Sequence, residues 1–289
     1  MSKQVENEKI VFWKSNHLEG LDCLHAKYID HTFSKHAHSG FAIGVIESGI
    51  EGFLYRGENQ FGLKNSLVVL NPEEVHTGYA AEKEGWTYRM IYPEKSLIQK
   101  MLGIENAEDL SQIFFKESVI DNAEMASLFL KLHDTLEYSD SALEQRTEFI
   151  YFFDKLLKRY ASKSLSHIKD DALPHKEIQR AVDYMQAYFD EDISLLELAQ
   201  VTHLSEYHFA RMFKRQYGLS PHAYLNQIRV RKAKEYLAHG LAIPKAAAEV
   251  GFVDQSHLLR RFKKVFGITP GQYQAASKNV QYKTRDHPL

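Results

Sequence analysis

Residues 199–224 read AQVTHLSEYHFARMFKRQYGLSPHAY and residues 248–273 read AEVGFVDQSHLLRRFKKVFGITPGQY, one pattern written twice, 49 residues apart and without a gap. Nine of the 26 positions are identical, among them His208/His257, Arg211/Arg260, Phe213/Phe262, Gly218/Gly267 and Pro221/Pro270; composition alone gives roughly one or two. Two copies are too few to close a solenoid, so the duplication specifies a small module used as a pair.

Each module reads as helix, short turn, helix. Ser194 followed by Glu197 ahead of an apolar run is a capping box, and it starts a short helix that ends near Val201. Ala199 and Ala248 are small enough to let a second helix cross closely. Ser205 and Asp254 stand where N-caps are wanted, and Phe209, Met212 and Phe213 follow at helical spacing. Facing away from that stripe are Glu206, Tyr207, Ala210, Arg211 and Lys214, and in the second copy Gln255, Ser256, His257, Arg260 and Lys263. These are groove-reading chemistries: Arg binds the guanine edge with two hydrogen bonds, Gln the adenine edge, and Lys, Arg and Ser hold phosphates.

Gly218 and Gly267 stop these helices, and Ser220-Pro221 and Thr269-Pro270 begin the next. The first of those is a long helix over 221–239. Tyr224, Leu225, Ile228, Ala233, Tyr236 and Leu237 are expected toward a core, with Arg229, Arg231, Lys232 and Lys234 outward. A stiff connection fixes the spacing of the two heads. At about 34 Å, one turn of B-DNA, a single chain reads two successive major-groove faces.

The pair of modules, closing on GFVDQSHLLRRFKKVFGITPGQY, resembles the DNA-binding domain of the AraC/XylS family of bacterial transcription regulators over roughly the last hundred residues. The likeness rests on the Gly251-Phe252 turn, the Phe262-Lys263 pair and the Gly-x-Thr-Pro ending. It implies double-stranded promoter DNA as partner, RNA polymerase as a further contact, and activation as the sign of control. The first copy departs from the pattern, with Thr202-His203 where the second has Gly251-Phe252, so its turn is expected to differ. Phe209, Phe213, Leu258 and Phe262 would also serve a plain helical bundle; two registered copies joined by a basic helix favour DNA binding.

Charge divides the chain. From Ala172 onward there are 17 Lys and Arg against 11 Asp and Glu, and before it 19 against 27. A basic segment suits a polyanion, and an acidic one is repelled by it. At 289 residues with 44% hydrophobic residues, two domains with their own cores are expected. No run of 18 apolar residues occurs and the start MSKQVENEK is polar, which points to a cytoplasmic chain that is neither membrane-bound nor exported. The one cysteine, Cys23, excludes an intramolecular disulfide and reads as a packed thiol.

The expected domains are 1–165, 172–276 and a tail at 277–289, with a polar linker at 161–176 that contains Pro174. Residues 121–159 read as helices with two apolar stripes: Met125, Leu128, Phe129, Leu132 and Leu136, then Phe149, Ile150, Phe153, Leu156 and Leu157. Such stripes face their own domain, with a homodimer contact as a second use. Short β-rich runs at 41–46, 52–55, 67–70, 75–79 and 86–92 are separated by Gly49, Gly57, Asn71-Pro72 and Gly85. The fold class is therefore α+β: a β-barrel or jelly roll with trailing helices, then an all-α domain of two helix-turn-helix units.

HAHSGFAIGVIESG followed by LVVLNPEEVH is similar to the cupin-type sensor domain that often precedes this DNA-binding domain. In that light His36, His38 and His76 resemble cupin metal ligands, since alternate strand residues share a face. The metal-binding version expects a glutamate where this chain has Ala42 and Ile43, and Glu47 is out of register. No metal and no cofactor are therefore assigned, and the histidines are read as lining a pocket. A barrel of this size encloses a small ligand; the candidate contacts are His36, His38, Tyr55, Arg56, His76, Trp86, Tyr88 and Arg89. The aromatic members serve equally as barrel core, and Arg89, opposite Trp86 on its strand, is either a carboxylate anchor or a solvated side chain.

No nucleophile, base and orienting group assemble in the chain, and it has no phosphate loop. The expectation is a ligand-responsive, DNA-binding regulator rather than an enzyme. Two rivals stay open at this point: a metal-dependent cupin enzyme fused to a DNA-binding module, and a dimerisation domain without a ligand.

Overall fold

The structure, a computed structural model, describes residues 8–103, 113–163 and 175–285. Alternation of apolar and polar residues in the first half produces short strands that each bury one or both faces. They are β1 (Lys9–Lys14), β2 (Asp22–Tyr28), β3 (Thr32–His36), β4 (Ala42–Gly49), β5 (Glu51–Tyr55), β6 (Glu58–Gly62), β7 (Leu67–Leu70), β8 (His76–Ala80) and β9 (Trp86–Tyr92), then β10 (Ile113–Phe115), β11 (Val119–Ile120) and β12 (Ala161–Lys163). One sheet has the order β1-β2-β9-β4-β7-β11, a second β3-β8-β5-β6, and β10 pairs with β12. Two antiparallel sheets face each other as in a jelly roll.

Each of the five expected β-runs is a strand. The sequence reading passed over β1, β2, β6, β10, β11 and β12, the last of them inside the expected linker, and it placed His36 and His38 on one strand where β3 ends at His36. β6 is the polar edge strand ENQFG; it is exposed along most of its length, with even Phe61 about half exposed, so no buried face imposes the apolar alternation that marks a half-covered strand. The β5–β6 hairpin closes through Arg56 (φ 51°) and Gly57 (φ 84°), consecutive left-handed residues that match the strand twist.

The outer face of the six-stranded sheet is covered by helices α1 (Lys95–Leu102), α2 (Ala123–Tyr138) and α3 (Ala142–Tyr160). Cys23, Ile43, Val45, Val69 and Ile91 pack there against Met125, Phe129, Leu132, Phe149, Phe152 and Phe153. Burying each of these large side chains contributes about 1.5–3 kcal/mol. Both helical stripes thus face their own domain, with one substitution: Phe152 is buried, whereas Ile150 is 38% exposed. Cys23 is packed in this layer, where burial pushes its thiol well up.

The C-terminal part is helical: α4 (His175–Ala187), α5 (Leu195–Thr202), α6 (Glu206–Tyr217), α7 (Pro221–Ala238), α8 (Ile243–Glu249), α9 (Gln255–Phe266) and α10 (Pro270–Arg285). Ile178, Val182, Met185, Leu198, Phe209, Phe213 and Leu225 form the core of the first module. In the second, Ala246, Ala247, Leu258, Phe262 and Tyr273 are buried. Ala199 is buried as expected, but its aligned partner Ala248 is exposed; α8 ends earlier than α5 in the aligned register, and Ala247 takes the packed position.

α7 serves both modules, so it is less one-sided than expected. Arg229 turns inward to backbone carbonyls of the loop after α4. Lys234 lies over the rings of Phe266 and Tyr273, 4.8 and 5.5 Å from their centroids. The chain divides into two compact units, residues 168–275 forming one and residues 1–167 with 276–289 the other. Most of the expected linker, 164–174, lies outside the described residues, and α10 continues to Arg285 through the stretch expected as a tail. Among the described residues no helix is long and apolar enough to cross a membrane.

Candidate nucleic-acid interface and barrel-interior cluster

Both modules have the expected caps. Ser194 and Glu197 form a reciprocal capping box at α5. Ser205 accepts from the His208 N–H at the start of α6, and Asp254 from the His257 N–H at the start of α9. Gly218 (φ 68°) and Gly267 (φ 71°) end these helices in left-handed conformation, where a residue without Cβ is least strained.

The two turns differ by one residue. In the second copy Gly251 is left-handed (φ 75°) and the Phe252 N–H reaches back to the Ala247 carbonyl. In the first, the left-handed residue is His203 (φ 56°), and the Leu204 N–H closes on Ala199. Thr202, aligned with Gly251, is still helical. Its hydroxyl is buried and donates to the Leu198 and Ala199 carbonyls. The missing glycine is accommodated because the strained conformation moves to an exposed neighbour.

On α6, Glu206, Tyr207, Arg211 and Lys214 are exposed, Tyr207 at 76%, and Ala210 is half-buried. On α9, Gln255, Ser256 and Arg260 are exposed, while Lys263 and His257 are half-buried. His257 does not face outward with the rest. Its ring meets Phe252 edge-on at 4.9 Å and its Nε2 accepts from Arg261 at 3.4 Å; burial and the neighbouring arginines hold its pKa down. It braces the second turn. The sequence reading missed Arg215 and Lys264, which are both exposed and aligned across the copies. Matching by charge rather than identity would have found them.

In the β-domain the strand register brings part of the candidate set together. His36 lies opposite His76 on the paired strands β3 and β8, and His38 follows β3. The ring centroids are 4.2 Å apart for His36–His76, 4.9 Å for His36–His38 and 5.1 Å for His38–His76. Trp86 and Tyr88 lie on the inward face of β9 and pack with Tyr28, whose ring is 5.3 and 5.9 Å from theirs. The buried Trp86 indole N–H has no hydrogen-bond partner among the described residues, the kind of donor that a ligand acceptor satisfies.

Glu51, which the sequence reading missed, shares the inward face of β5 with Phe53 and Tyr55. Burial raises its carboxyl pKa to about 8. Alternation points to it, once β5 is begun one residue earlier than the apolar run suggests. Tyr55 lies opposite His76, but its hydroxyl is bonded to Glu74 and Asn71.

Two arginines have structural duties instead of the expected ligand contact. Arg56, at the β5–β6 turn, pairs with Glu74 at 2.7 Å and donates to the Phe115 and Lys116 carbonyls. Arg89 points to the helix-covered face, away from Trp86 and Tyr88. There it binds Glu47 at 2.7 Å and Asp134 at 2.5 Å. Glu47 also accepts from His25 at 2.7 Å; this bond and the arginine hold its carboxyl at about 2 despite partial burial. His133, beside Arg89, is kept neutral by burial and the guanidinium, with a pKa lowered to about 3.

Comparison with known proteins gives the same division. Residues 20–153 match the AraC-like ligand binding domain and residues 198–276 a helix-turn-helix domain. The chain is 27% identical to the HTH-type transcriptional regulator YbfI of Bacillus subtilis over 87% of this chain and 90% of that protein. It is 24% identical to the lactose operon transcription activator of Staphylococcus xylosus, over 73% and 75%. In fold it is similar to ToxT from Vibrio cholerae, with a TM-score of 0.51 at 14% identity over 93% of this chain and 97% of that one. The relatives matched along most of the chain are regulators, which removes the enzyme rival. The chain belongs to the AraC family of transcriptional regulators, binding DNA through its helix-turn-helix domain and carrying an AraC-like ligand-binding domain ahead of it.

Proposed function

We propose that the chain is a metabolite-responsive activator that reads promoter DNA with α6 and α9. The observation that carries this reading is the pair Arg211 and Arg260, exposed at the same position of the two second helices. In a major groove each can hold the guanine edge with two hydrogen bonds, Gln255 can hold adenine, and Lys214 and Lys263 can hold phosphates. Glu206, Tyr207, Ala210 and Ser256 complete the proposed faces, and His257 supports the second from behind.

The proposed effector occupies the β-domain and contacts the surroundings of His36, His38, His76, Trp86 and Tyr88. Aromatic walls, the orphan indole donor and the buried Glu51 acid suit a small ligand that combines apolar surface with hydrogen-bonding groups. Effector binding shifts a pre-existing equilibrium between DNA-binding arrangements. The matched activator of Staphylococcus xylosus supports activation; RNA polymerase is the proposed partner at the promoter. Exposed Leu143, Ile150 and Tyr151 on α3 support association of two chains. The expected setting is the cytoplasm.

The test is selection of bound sequences from a random duplex pool by the full-length protein at near-physiological salt, with and without a metabolite extract. A motif of two blocks about ten base pairs apart is expected, with its recovery altered by extract. Folded protein that recovers no motif in either condition would overturn the reading.

A further inference from the structure

Glu51 is 8% exposed, and among the described residues its carboxyl makes no hydrogen bond and no ion pair. Acidic side chains are almost never buried to this degree unless they are paired, because an unpaired carboxylate loses its hydration without compensation. The acid lies in the barrel interior. Its Oε1 sits beside Gly78 and Phe33: a Cβ built on Gly78 would stand 3.3 Å from that oxygen and 3.0 Å from the Phe33 ring. The glycine leaves the flank of the carboxyl open.

Aromatic rings surround this position. A bulge shifts the β3–β8 register between Phe33 and His36, the device by which a strand re-aims its side chains. Phe33 meets Tyr28 at 5.4 Å and Trp86 at 6.5 Å between ring centroids. The phenols of Tyr28, Tyr88 and Tyr92 are pushed up by burial first, and the Glu51 charge is among the further causes for each. The acid therefore shares one interior with these rings and with the Trp86 indole N–H, which has no acceptor among the described residues.

No cation among the described residues offsets the acid, and burial alone pushes its carboxyl up to about 8. Arg56 is engaged by Glu74, and Arg89 by Glu47 and Asp134. Burial keeps His76 neutral, its pKa lowered to about 4. An anionic group is disfavoured in such an interior, which offers it an acid and no counter-charge. An ammonium group meets the opposite conditions: it supplies the charge that lets the buried carboxyl ionise, and the faces of aromatic rings attract it.

We propose that the effector of the β-domain carries a protonated amine that pairs with the Glu51 carboxylate among the rings of Tyr28, Phe33 and Tyr88, and a hydroxyl or carbonyl oxygen that accepts from Trp86 Nε1. This rests on the reading that an effector occupies the β-domain, and it assigns the charge class of that molecule.

The probe is a chelator-treated metabolite extract, divided at neutral pH on a strong cation-exchange resin into a flow-through and a retained fraction eluted with salt. Motif selection by the full-length protein is run with the whole extract and with each desalted fraction. The retained fraction should alter motif recovery as the whole extract does, and the flow-through should not. Glu51→Gln keeps the shape of the side chain and removes its charge; it should need at least about 30-fold more of the retained fraction for half the response, the scale of breaking a buried charge pair. Glu51→Asp, which keeps the charge, should respond at lower doses than Glu51→Gln. A response carried by the flow-through overturns the inference and leaves the effector reading standing, and so does a Glu51→Gln variant that responds like the parent protein. No response to the whole extract falls on the effector reading itself and takes the inference with it.

Discussion

Arg229 on α7 donates from Nε to the carbonyl oxygen of Phe189 at 2.7 Å, and its Nη2 reaches the Glu191 carbonyl at 2.7 Å. Between those two acceptors lies Asp190, against whose backbone Gly251 packs so closely that a Cβ would stand 2.4 Å from the Asp190 oxygen. One loop after α4 is thus gripped by the connecting helix and by the turn of the second module. Charge-assisted bonds to carbonyls at a helix end are among the stronger ones available. They give a chain with two reading heads a fixed geometry between them.

Gly251→Ala should destabilise the helical domain by more than Gly240→Ala. Both glycines are left-handed (φ 75° and 85°), but nothing lies within 4 Å of a Cβ at Gly240. The control carries only the conformational strain, about 1–2 kcal/mol, and the Asp190 clash adds to it at Gly251. Urea unfolding of the two variants measures the difference; equal losses would mean that the loop yields freely.

Arg229→Lys should not restore what Arg229→Ala removes. A single ammonium cannot reproduce the planar fork that serves two carbonyls. Both variants should lower the unfolding midpoint by similar amounts and weaken DNA sites containing both blocks more than sites containing one. A lysine variant with parent-like behaviour would reduce the contact to simple charge.

Arg211→Ala and Arg260→Ala should each relax base preference within one block of the site and cost about 1–3 kcal/mol in specific binding. Exposed positions of this kind leave stability within about 0.5 kcal/mol. Competition binding against single-base variants of the selected site reports both. Unchanged selectivity removes these residues from base reading.

Lys214→Gln should weaken binding uniformly across sequences and lower the slope of log affinity against log salt by about 0.9. Titrations at several salt concentrations give the slope. A sequence-dependent loss would place Lys214 at a base edge instead.

Glu51 makes stability depend on pH. Its carboxyl is raised from 4.5 to about 8 in the folded state by burial, so the folded protein keeps a proton that the unfolded chain releases. The corresponding stability is fully present below pH 4.5 and is lost as pH rises toward 8. Glu51→Gln should therefore melt higher than the parent protein at pH 8, with the gap closing toward pH 5. Parallel melting profiles would show that Glu51 is solvated.

Patterns local in the chain were legible from residues alone. Capping by Ser194, Ser205 and Asp254, helix stops at Gly218 and Gly267, and the five apolar β-runs depend on neighbours within a few positions, which a sequence displays directly. The duplication added the pairing of modules, and the strings around His36 and His76 indicated the β-domain. Edge strand β6 was not legible, because a strand exposed along most of its length needs no apolar alternation. Arg229 and Lys234 read as solvent-facing for a similar reason: a basic residue on a helix shows its charge, not the carbonyls or rings that another segment brings to it.

The sequence by itself determined that this chain would make two helix-turn-helix units behind a β-rich domain, because duplicated caps and periodicities act at short range. Tertiary structure alone decided that Arg89 turns from the barrel toward Glu47 and Asp134, that His257 braces a turn, and that His38 joins the expected grouping with His36 and His76 from beyond the end of β3. Those outcomes depend on strand register, a bulge and the packing of distant segments, and such long-range choices are made only when the sheets and helices close on one another.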